Sequence, residues 1–347
     1  MSSGRTVHPV PSHTTMTDVA RVAGVSIKSV SRVINNEPHV SQRLREKVEA
    51  AIAELDYVPD TAARSLAGAR SFTIGVLFDN PSPNYTMKVL AGAYRACIDN
   101  QYHLRIDTLD SFVPEADLRR QVDQILRHSR CDGFILTPPL SDAKVLLDML
   151  EARGVAYSRI APMLDVDRSM AVMIDDTAAA AAVADLFWAR GHRRIGIING
   201  PNTHGAAVNR RRGFMERLLQ LDPAILVSEA NGGFSFEGGI AAGHELLAAR
   251  RYPTAIFAAN DDSAAGVIVA CSQLGLKVPS DVSICGFDDS WIAKSVWPYL
   301  TTVHQPIDMM AQYAAQMVLS RVSLNETQRL RQLDFELILR DSVADAS

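Results

Sequence analysis

The sequence predicts an α/β protein in two parts. A bundle of three short helices and a connecting helix come first, and a two-lobed region of parallel sheets follows. Three observations carry this expectation. Before Arg70 the chain shows helix caps and helical spacing with no strand-like run, and after it short β-rich runs alternate with helical stretches. Two of those runs, Ile74-Gly75-Val76-Leu77 and Ile195-Gly196-Ile197-Ile198, read as the openings of two similar halves. The length of 347 residues, with 47% hydrophobic and 21% charged residues, is enough for two or three domains with real cores.

The first helix begins at Thr15-Met16-Thr17-Asp18, a hydroxyl followed three residues later by a carboxylate, which is a capping box. Val19, Ala20 and Ala23 give it a buried side, and Gly24 stops it. Ser26 caps a second helix, Ile27 to about Asn35, whose stripe is Val30, Val33 and Ile34. Ser41 caps a third, with Leu44, Val48, Ala51, Ile52 and Leu55 on one face. Two short helices joined by a Gly-containing turn make a helix-turn-helix. The face of the second helix opposite its stripe carries Ile27, Lys28, Ser29 and Arg32. Lys28 and Arg32 suit guanine O6 and N7, and Ile27 suits a thymine methyl. The bundle is too small to enclose an enzyme site.

Pro59 ends the third helix, Asp60 caps a fourth and Gly68 stops it. At about two turns this helix is too short to stand alone. Leu66 near its end is a large apolar side chain with nothing local to cover it. Such a helix is expected to form against DNA and a second copy of the chain.

Thr15-Met16-Thr17-Asp18-Val19-Ala20, Ala23-Gly24-Val25-Ser26, Val30-Ser31-Arg32-Val33-Ile34-Asn35 and Ala63-Arg64-Ser65-Leu66 closely resemble the lactose-repressor/galactose-repressor family. The likeness runs from about residue 14 to about residue 341. It implies a homodimer on double-stranded operator DNA, with recognition helices in two major grooves and paired hinge helices in the central minor groove. There Leu66 would wedge between base pairs and bend the duplex. The DNA contacts it implies are Thr15, Ser26, Ile27, Lys28, Ser29, Ser31, Arg32 and Asn35 in the head, and Ala63 and Leu66 in the hinge. The expected organisation is a tail over 1–13, the head over 14–58, the hinge helix over 59–70, a two-lobed, periplasmic-binding-protein-like effector and dimerisation region over 71–341, and a tail over 342–347.

In the large region strands are expected at 72–78, 103–107, 133–137, 155–160, 171–175, 194–199, 254–259 and 282–287, and a last one at 333–341. The first helix there is expected from about Met87 to Asn100, and others at 115–128 and 142–153. Alternation of this kind gives parallel sheets covered on both faces, with ligands beyond the carboxyl ends of the strands. The lobes hold no GxGxxG after a strand, no phosphate-binding GxxxxGKS/T, no GxSxG and no HExxH. The Asp pairs at 175–176, 261–262 and 288–289 abut strands, where polar residues gather anyway, and Gly191-His192-Arg193-Arg194 reads as a solvated turn. The reading is a binder and not an enzyme, with no cofactor and no metal.

The resemblance places an effector-contacting arginine three residues before the Gly of Arg210-Arg211-Arg212-Gly213-Phe214, which selects Arg210. It places Asn260, Asp261 and Asp288 at the cleft, with Phe234 packing on the ligand and Tyr85 facing it. Carboxylates, an amide and an aromatic face suit a sugar. One departure concerns the fourth strand, Tyr157-Ser158-Arg159-Ile160-Ala161, which ends in Ala where the family often has Asp. Arg159 lies two residues earlier on the same side. A buried Arg needs an anionic partner, either Asp165 or Asp167 or an acidic group on the effector.

The four cysteines are scattered without a CxxC pair and read as reduced and structural. Residues 1–70 hold nine Lys+Arg against seven Asp+Glu in a chain of net charge −4, too mild an excess to indicate nucleic acid by itself. The polar N-terminus resembles no signal peptide and no apolar run reaches membrane-spanning length, so a cytoplasmic protein is expected. No leucine heptad follows the last strand, so a dimer is expected. The function expected is a ligand-responsive repressor of carbohydrate uptake or catabolism genes, released from a palindromic operator by a sugar-like effector. The alternative is a corepressor-dependent repressor or an activator responding to an acidic sugar or other metabolite. A transporter's solute-binding protein and a sugar-metabolising enzyme are rivals that share only the lobes.

Overall fold

The computed structural model describes residues 14–34, 39–57, 70–320 and 329–346. The chain forms two compact units, Met1–Ser71 and Phe72–Ser347.

In the first unit, α1 (Met16–Ala23), α2 (Ile27–Ile34) and α3 (Gln42–Glu54) follow the caps read from the sequence. The Thr15 side chain accepts from the Asp18 N–H while Asp18 reaches back to the Thr15 N–H. Gly24 ends α1 at φ +63, where a side chain would be strained, and its N–H bonds the carbonyls of Ala20 and Arg21. Ser26 Oγ accepts from the Ser29 N–H, and Ser41 Oγ from the Leu44 N–H. Val19, Ala20, Val30, Val33, Val48, Ala51 and Tyr57 form the core. Asn35 and the hinge segment 58–69, with Ala63 and Leu66, lie outside the described residues.

The second unit holds two six-stranded sheets. One lobe is built from β1 (Thr73–Phe78), α4 (Pro83–Asp99), β2 (His103–Thr108), α5 (Glu115–His128), β3 (Gly133–Leu136), α6 (Lys144–Ala152), β4 (Ala156–Ile160) and β5 (Met170–Met173). The other follows with α7 (Asp176–Ala189), β6 (Ile195–Asn199), α8 (Gly205–Leu221), β7 (Val227–Asn231), α9 (Phe236–Leu247), β8 (Ala255–Ala258), α10 (Asp261–Gln273), β9 (Ser283–Asp288) and β10 (Thr301–His304). The chain then returns with α11 (Ile307–Ser320) and β11 (Leu330–Gln332) to the first lobe and with β12 (Glu336–Ile338) to the second. The sheet orders are β11-β5-β4-β3-β1-β2 and β12-β10-β9-β8-β6-β7. Every pairing is parallel except β12 with β10. The buried strands β3, β6, β8 and β9 are the near-continuous apolar runs that such sheets require.

Two close helix contacts fix the lobes. A Cβ on Gly92 of α4 would lie 1.9 Å from the Asp308 carbonyl oxygen of α11, and one on Gly213 of α8 would lie 2.1 Å from that of Thr177 in α7. Only glycine allows these backbones to approach so far.

Three expectations are corrected. The helix expected from Met87 starts at Pro83, because Ser82 caps it through the Tyr85 N–H and proline at N1 loses no hydrogen bond. The expected strand 333–341 is replaced by two short strands in different lobes, β11 before it and β12 within it. His192 is buried, bonding Thr254 Oγ1 and the Ala344 carbonyl, with its ring edge against Phe187, while Gly191, Arg193 and Arg194 are exposed, so the turn is solvated except at its histidine.

Candidate functional site

A cleft between the lobes lies beyond the carboxyl ends of the strands. The space among its walls is about 420 Å³, including open water at the mouth. From the first lobe it is lined by Asn80, Ser82, Tyr85, Pro138, Ala161 and Met310, and from the second by His204, Ala206, Arg210, Phe234, Asn260, Asp288 and Gln305.

Arg210, on the second turn of α8, is the electrostatic centre. Its Nε donates to Asp176 Oδ1 at 2.8 Å and its Nη1 to the Ala259 carbonyl at 2.7 Å. Nη1 also lies 3.7 Å from Asp288 Oδ1, and the guanidinium sits 3.6 Å from the centroid of the Phe287 ring. Its neighbours point outward: Arg211 forms a bidentate pair with Glu229 and Arg212 donates to Thr177 Oγ1. Asp288 ends β9 and accepts from Gln305 Nε2. Burial pushes the Asp288 carboxyl up to about 6, with the positive charge of Arg210 opposing the rise.

Asn260 caps α10, accepting from the Ser263 N–H, and donates Nδ2 to the Phe234 carbonyl at 3.0 Å. Phe234 turns the chain at φ +62 and meets the His204 ring edge-on, with centroids 5.4 Å apart. His204 is 1% exposed, its Nε2 has no protein partner, and burial with the nearby Arg210 charge lowers its pKa to about 4. It is therefore neutral at pH 7. Tyr85 Oη is likewise buried without a partner, and burial first, then the Asp288 charge, raises its pKa so that the hydroxyl keeps its proton. Such orphaned groups are rare and need explanation. Here both belong to residues that line one cavity.

The structure thus brings Tyr85, Arg210, Phe234, Asn260 and Asp288 together at the cleft. It does not bring Asp261 there. Asp261 accepts from Thr302 Oγ1 at 2.6 Å and from the Ser290 N–H at 2.7 Å, and supports the β9 turn from behind. Burial and the neighbouring Asp288 charge push its carboxyl up to about 8. Arg159 is also displaced from its expected role. It is fully buried, donating Nε to Ser169 Oγ at 2.8 Å and its terminal nitrogens to the carbonyls of Ser141, Leu164, Asp165 and Val166. Its nearest carboxylate is Asp142, at 4.0 Å, and neither Asp165 nor Asp167 pairs with it. Carbonyl oxygens satisfy the guanidinium, so no acidic ligand group is required. Sequence reasoning missed His204, Gln305 and Asn80, which lie in connections without periodicity.

In the head, α2 presents Ile27, 49% exposed, and Lys28 to solvent, while Val30 and Val33 face the core. Ser29 and Arg32 are half-buried, as is Ser31. Thr15 and Ser26 spend their hydroxyls on caps. Among the described residues no His/Cys/Asp/Glu group could hold a metal ion, and no helix is long and apolar enough to cross a membrane.

Residues 15–60 match bacterial regulatory proteins of the lacI family, and 184–343 match a periplasmic binding protein-like domain. Over 342 residues the chain is 34% identical to the ribose operon repressor of Haemophilus influenzae, covering 95% of this chain and 98% of that protein. The chain belongs to the lacI family. This lacI-family protein is also 34% identical over 343 residues to the transcriptional repressor PurR of Proteus mirabilis, covering 95% and 97% of the two chains. Among solved structures it resembles the lac repressor dimer bound to operator and the anti-inducer ONPF, with TM-score 0.76, 27% identity and coverage of 96% and 99%. A complex of the regulator CelR with cellobiose gives TM-score 0.69 and 29% identity over 95% of this chain and all of that one. The lacI-family protein is accordingly a ligand-responsive, DNA-binding transcriptional repressor.

Proposed function

We propose that this repressor acts as a homodimer on a palindromic operator and is released by a neutral polyhydroxyl effector. The observation that carries the effector class is the pair of orphaned groups, Tyr85 Oη and His204 Nε2, at one cavity whose charges are already matched. Two uncharged hydrogen-bonding groups without partners suit ligand hydroxyls. The Phe234 ring offers an apolar face for ring carbons, and Asn260, Gln305 and Asp288 supply further amide and carboxylate contacts. Arg210 is committed to Asp176 and Asp288, and Arg159 to carbonyls, so neither cation is left over for an acidic ligand. The ribose and cellobiose in the names of two relatives agree with a carbohydrate.

For the head, the reading places Ile27 and Lys28 against base edges, with Thr15, Ser26, Ser29, Ser31, Arg32 and Asn35 beside them and Ala63 and Leu66 in the minor groove. Effector and operator then share one equilibrium, whose coupling is typically about 1–3 kcal/mol and reciprocal.

The test is selection of bound duplexes from genomic fragments without added ligand, followed by titration of the selected duplex complex with neutral pentoses and hexoses and with the matching uronates and sugar phosphates. A palindrome released by a neutral sugar is expected. Release only by the acidic compounds would overturn the effector class. Enrichment of a palindrome only when a ligand is added would reverse the sign and make the protein corepressor-dependent.

A further inference from the structure

The lobes are held together by more than the cleft. Ser82, Asn84 and Asp262 are all buried, the first two at the start of α4 in one lobe and the third in the first turn of α10 in the other. Asp262 Oδ2 accepts from Ser82 Oγ at 2.5 Å, and Oδ1 accepts from Asn84 Nδ2. Four residues further along α4, Lys88 Nζ donates to the carbonyls of Asp288 and Asp289 at 2.7 and 2.9 Å. This strap consists wholly of protein atoms. Its ends are also ends of the cleft: Ser82 Oγ accepts from the Tyr85 N–H, and Asp262 Oδ2 lies 3.5 Å from the Asn260 Nδ2 that holds the Phe234 carbonyl.

We propose that Asp262 is a positioning residue for the ligand response, clasping Ser82 and Asn84 so that the lobes rest in the arrangement that sets Tyr85 against Phe234 and Asn260. The clasp deepens the effector reading and rests on it only for its consequence. A cleft held ready raises apparent effector affinity by the fraction of molecules already competent. The chemistry suits a carboxylate, which offers an oxygen to each of the two donors, whereas an amide would keep the Ser82 bond only by turning that hydroxyl round to accept, leaving its hydrogen without this partner. Among the described residues no cation completes the group, and its two short hydrogen bonds both come from the opposite lobe, so separating the lobes strips it of both. Burial pushes its carboxyl up, and Ser82 and Asn84 oppose that rise.

Amide hydrogen exchange on the full-length, effector-free protein tests the clasp without an identified ligand. The variants are Asp262→Asn, Asn84→Ala and the exchanged pair Asp262→Asn with Asn84→Asp, which again sets one carboxylate against one amide. The informative amides lie at 140–142 and 163–164 in one lobe and at 204–208 in the other. These face each other across the cleft, where a Cβ on Gly205 would lie 2.4 Å from Met163 Cβ and 3.2 Å from Asp142 Oδ2, and none touches a substituted group. Each single variant is expected to speed their exchange by about fivefold or more, and the exchanged pair to restore most of the protection. Change confined to 82–90, unchanged exchange, or failure of the pair to restore would overturn the clasp. Asn84→Ala leaves every group of the second lobe intact, so it decides the matter if Asp262→Asn does not fold. Failure of the effector reading would show only in the sugar titrations, and failure of the clasp only here.

Discussion

Arg210 and Asp176 form a buried ion pair, Nε to Oδ1 at 2.8 Å, with each side chain 5% exposed. Asp176 opens α7 just after the chain has entered the second lobe, and Arg210 carries that anchor to the cleft wall beside Asp288. The arginine is therefore at once a cleft-lining group and the counter-ion for two buried carboxylates.

Arg210→Ala is expected to abolish the effector response and also to destabilise the large unit by about 3–5 kcal/mol, because it leaves buried carboxylates uncompensated. Denaturant titration measures the second effect. Below the melting temperature, operator binding is expected to persist. Parental stability in the variant would contradict the geometry of the pair.

Tyr85→Phe removes a hydroxyl that no protein group uses. Stability without effector is expected to stay level or rise slightly, while affinity for the releasing sugar falls by about 1 kcal/mol, roughly fivefold. Calorimetry and thermal melts on the same samples check both, and an unchanged affinity would remove Tyr85 from the ligand contacts.

The Asp288 carboxyl is raised from 3.8 to about 6 in the fold. Between those values the folded protein keeps a proton that the unfolded chain has lost, so this group's contribution to stability falls as pH rises from about 4 to about 6 and levels off above. Ligand hydroxyls donating to Asp288 need the carboxylate. Effector binding should therefore expel a proton near pH 6 and weaken as pH drops below it. Calorimetry in buffers of different ionisation enthalpy reads the released proton directly; no buffer dependence at pH 6 would exclude Asp288 as an acceptor.

Ile27 is half out of the head's surface, so Ile27→Ala is expected to leave folding unchanged. If its side chain packs on a thymine methyl, operator affinity falls by about 1 kcal/mol, and replacing that thymine by uracil costs the parent as much and the variant nothing. A variant still sensitive to the methyl would assign the contact elsewhere.

Leu66→Ala is expected to weaken operator binding by roughly tenfold or more, since an unstacked step loses the side chain that held it open. Effector affinity of the DNA-free protein should not move. Equal operator affinity at matched salt would reject the wedge.

Much of this architecture was legible in the letters because its rules are local. Thr15 with Asp18, Gly24 and Ser41 announce helix ends within a few residues, and runs such as Ile195–Asn199 announce buried parallel strands. Arg210 was legible through a short motif. What escaped depends on partners far along the chain. Asp261 is held away from the cleft by Thr302 and Ser290. Arg159 is satisfied by carbonyl oxygens, which every residue carries and no letter marks. His204 stands just before α8, and only its burial against Phe234 gives it a role. Pro83 opens a helix four residues before the expected start at Met87, because Ser82 caps it.

The first lobe is not finished where its first run of strands ends. Its α11 lies against α4 and its edge strand β11 is contributed from beyond residue 329. On the ribosome, then, the sheet that begins at Thr73 must wait with one flank uncovered until residues 330–332 have been made. The second lobe can assemble most of its sheet sooner, although β12 arrives last of all. A nascent or prematurely ended chain would carry a DNA-reading head attached to an incomplete lobe. Synthesis order thus makes the returning segments Ile307–Ser320, Leu330–Gln332 and Glu336–Ile338 the step that seals both lobes.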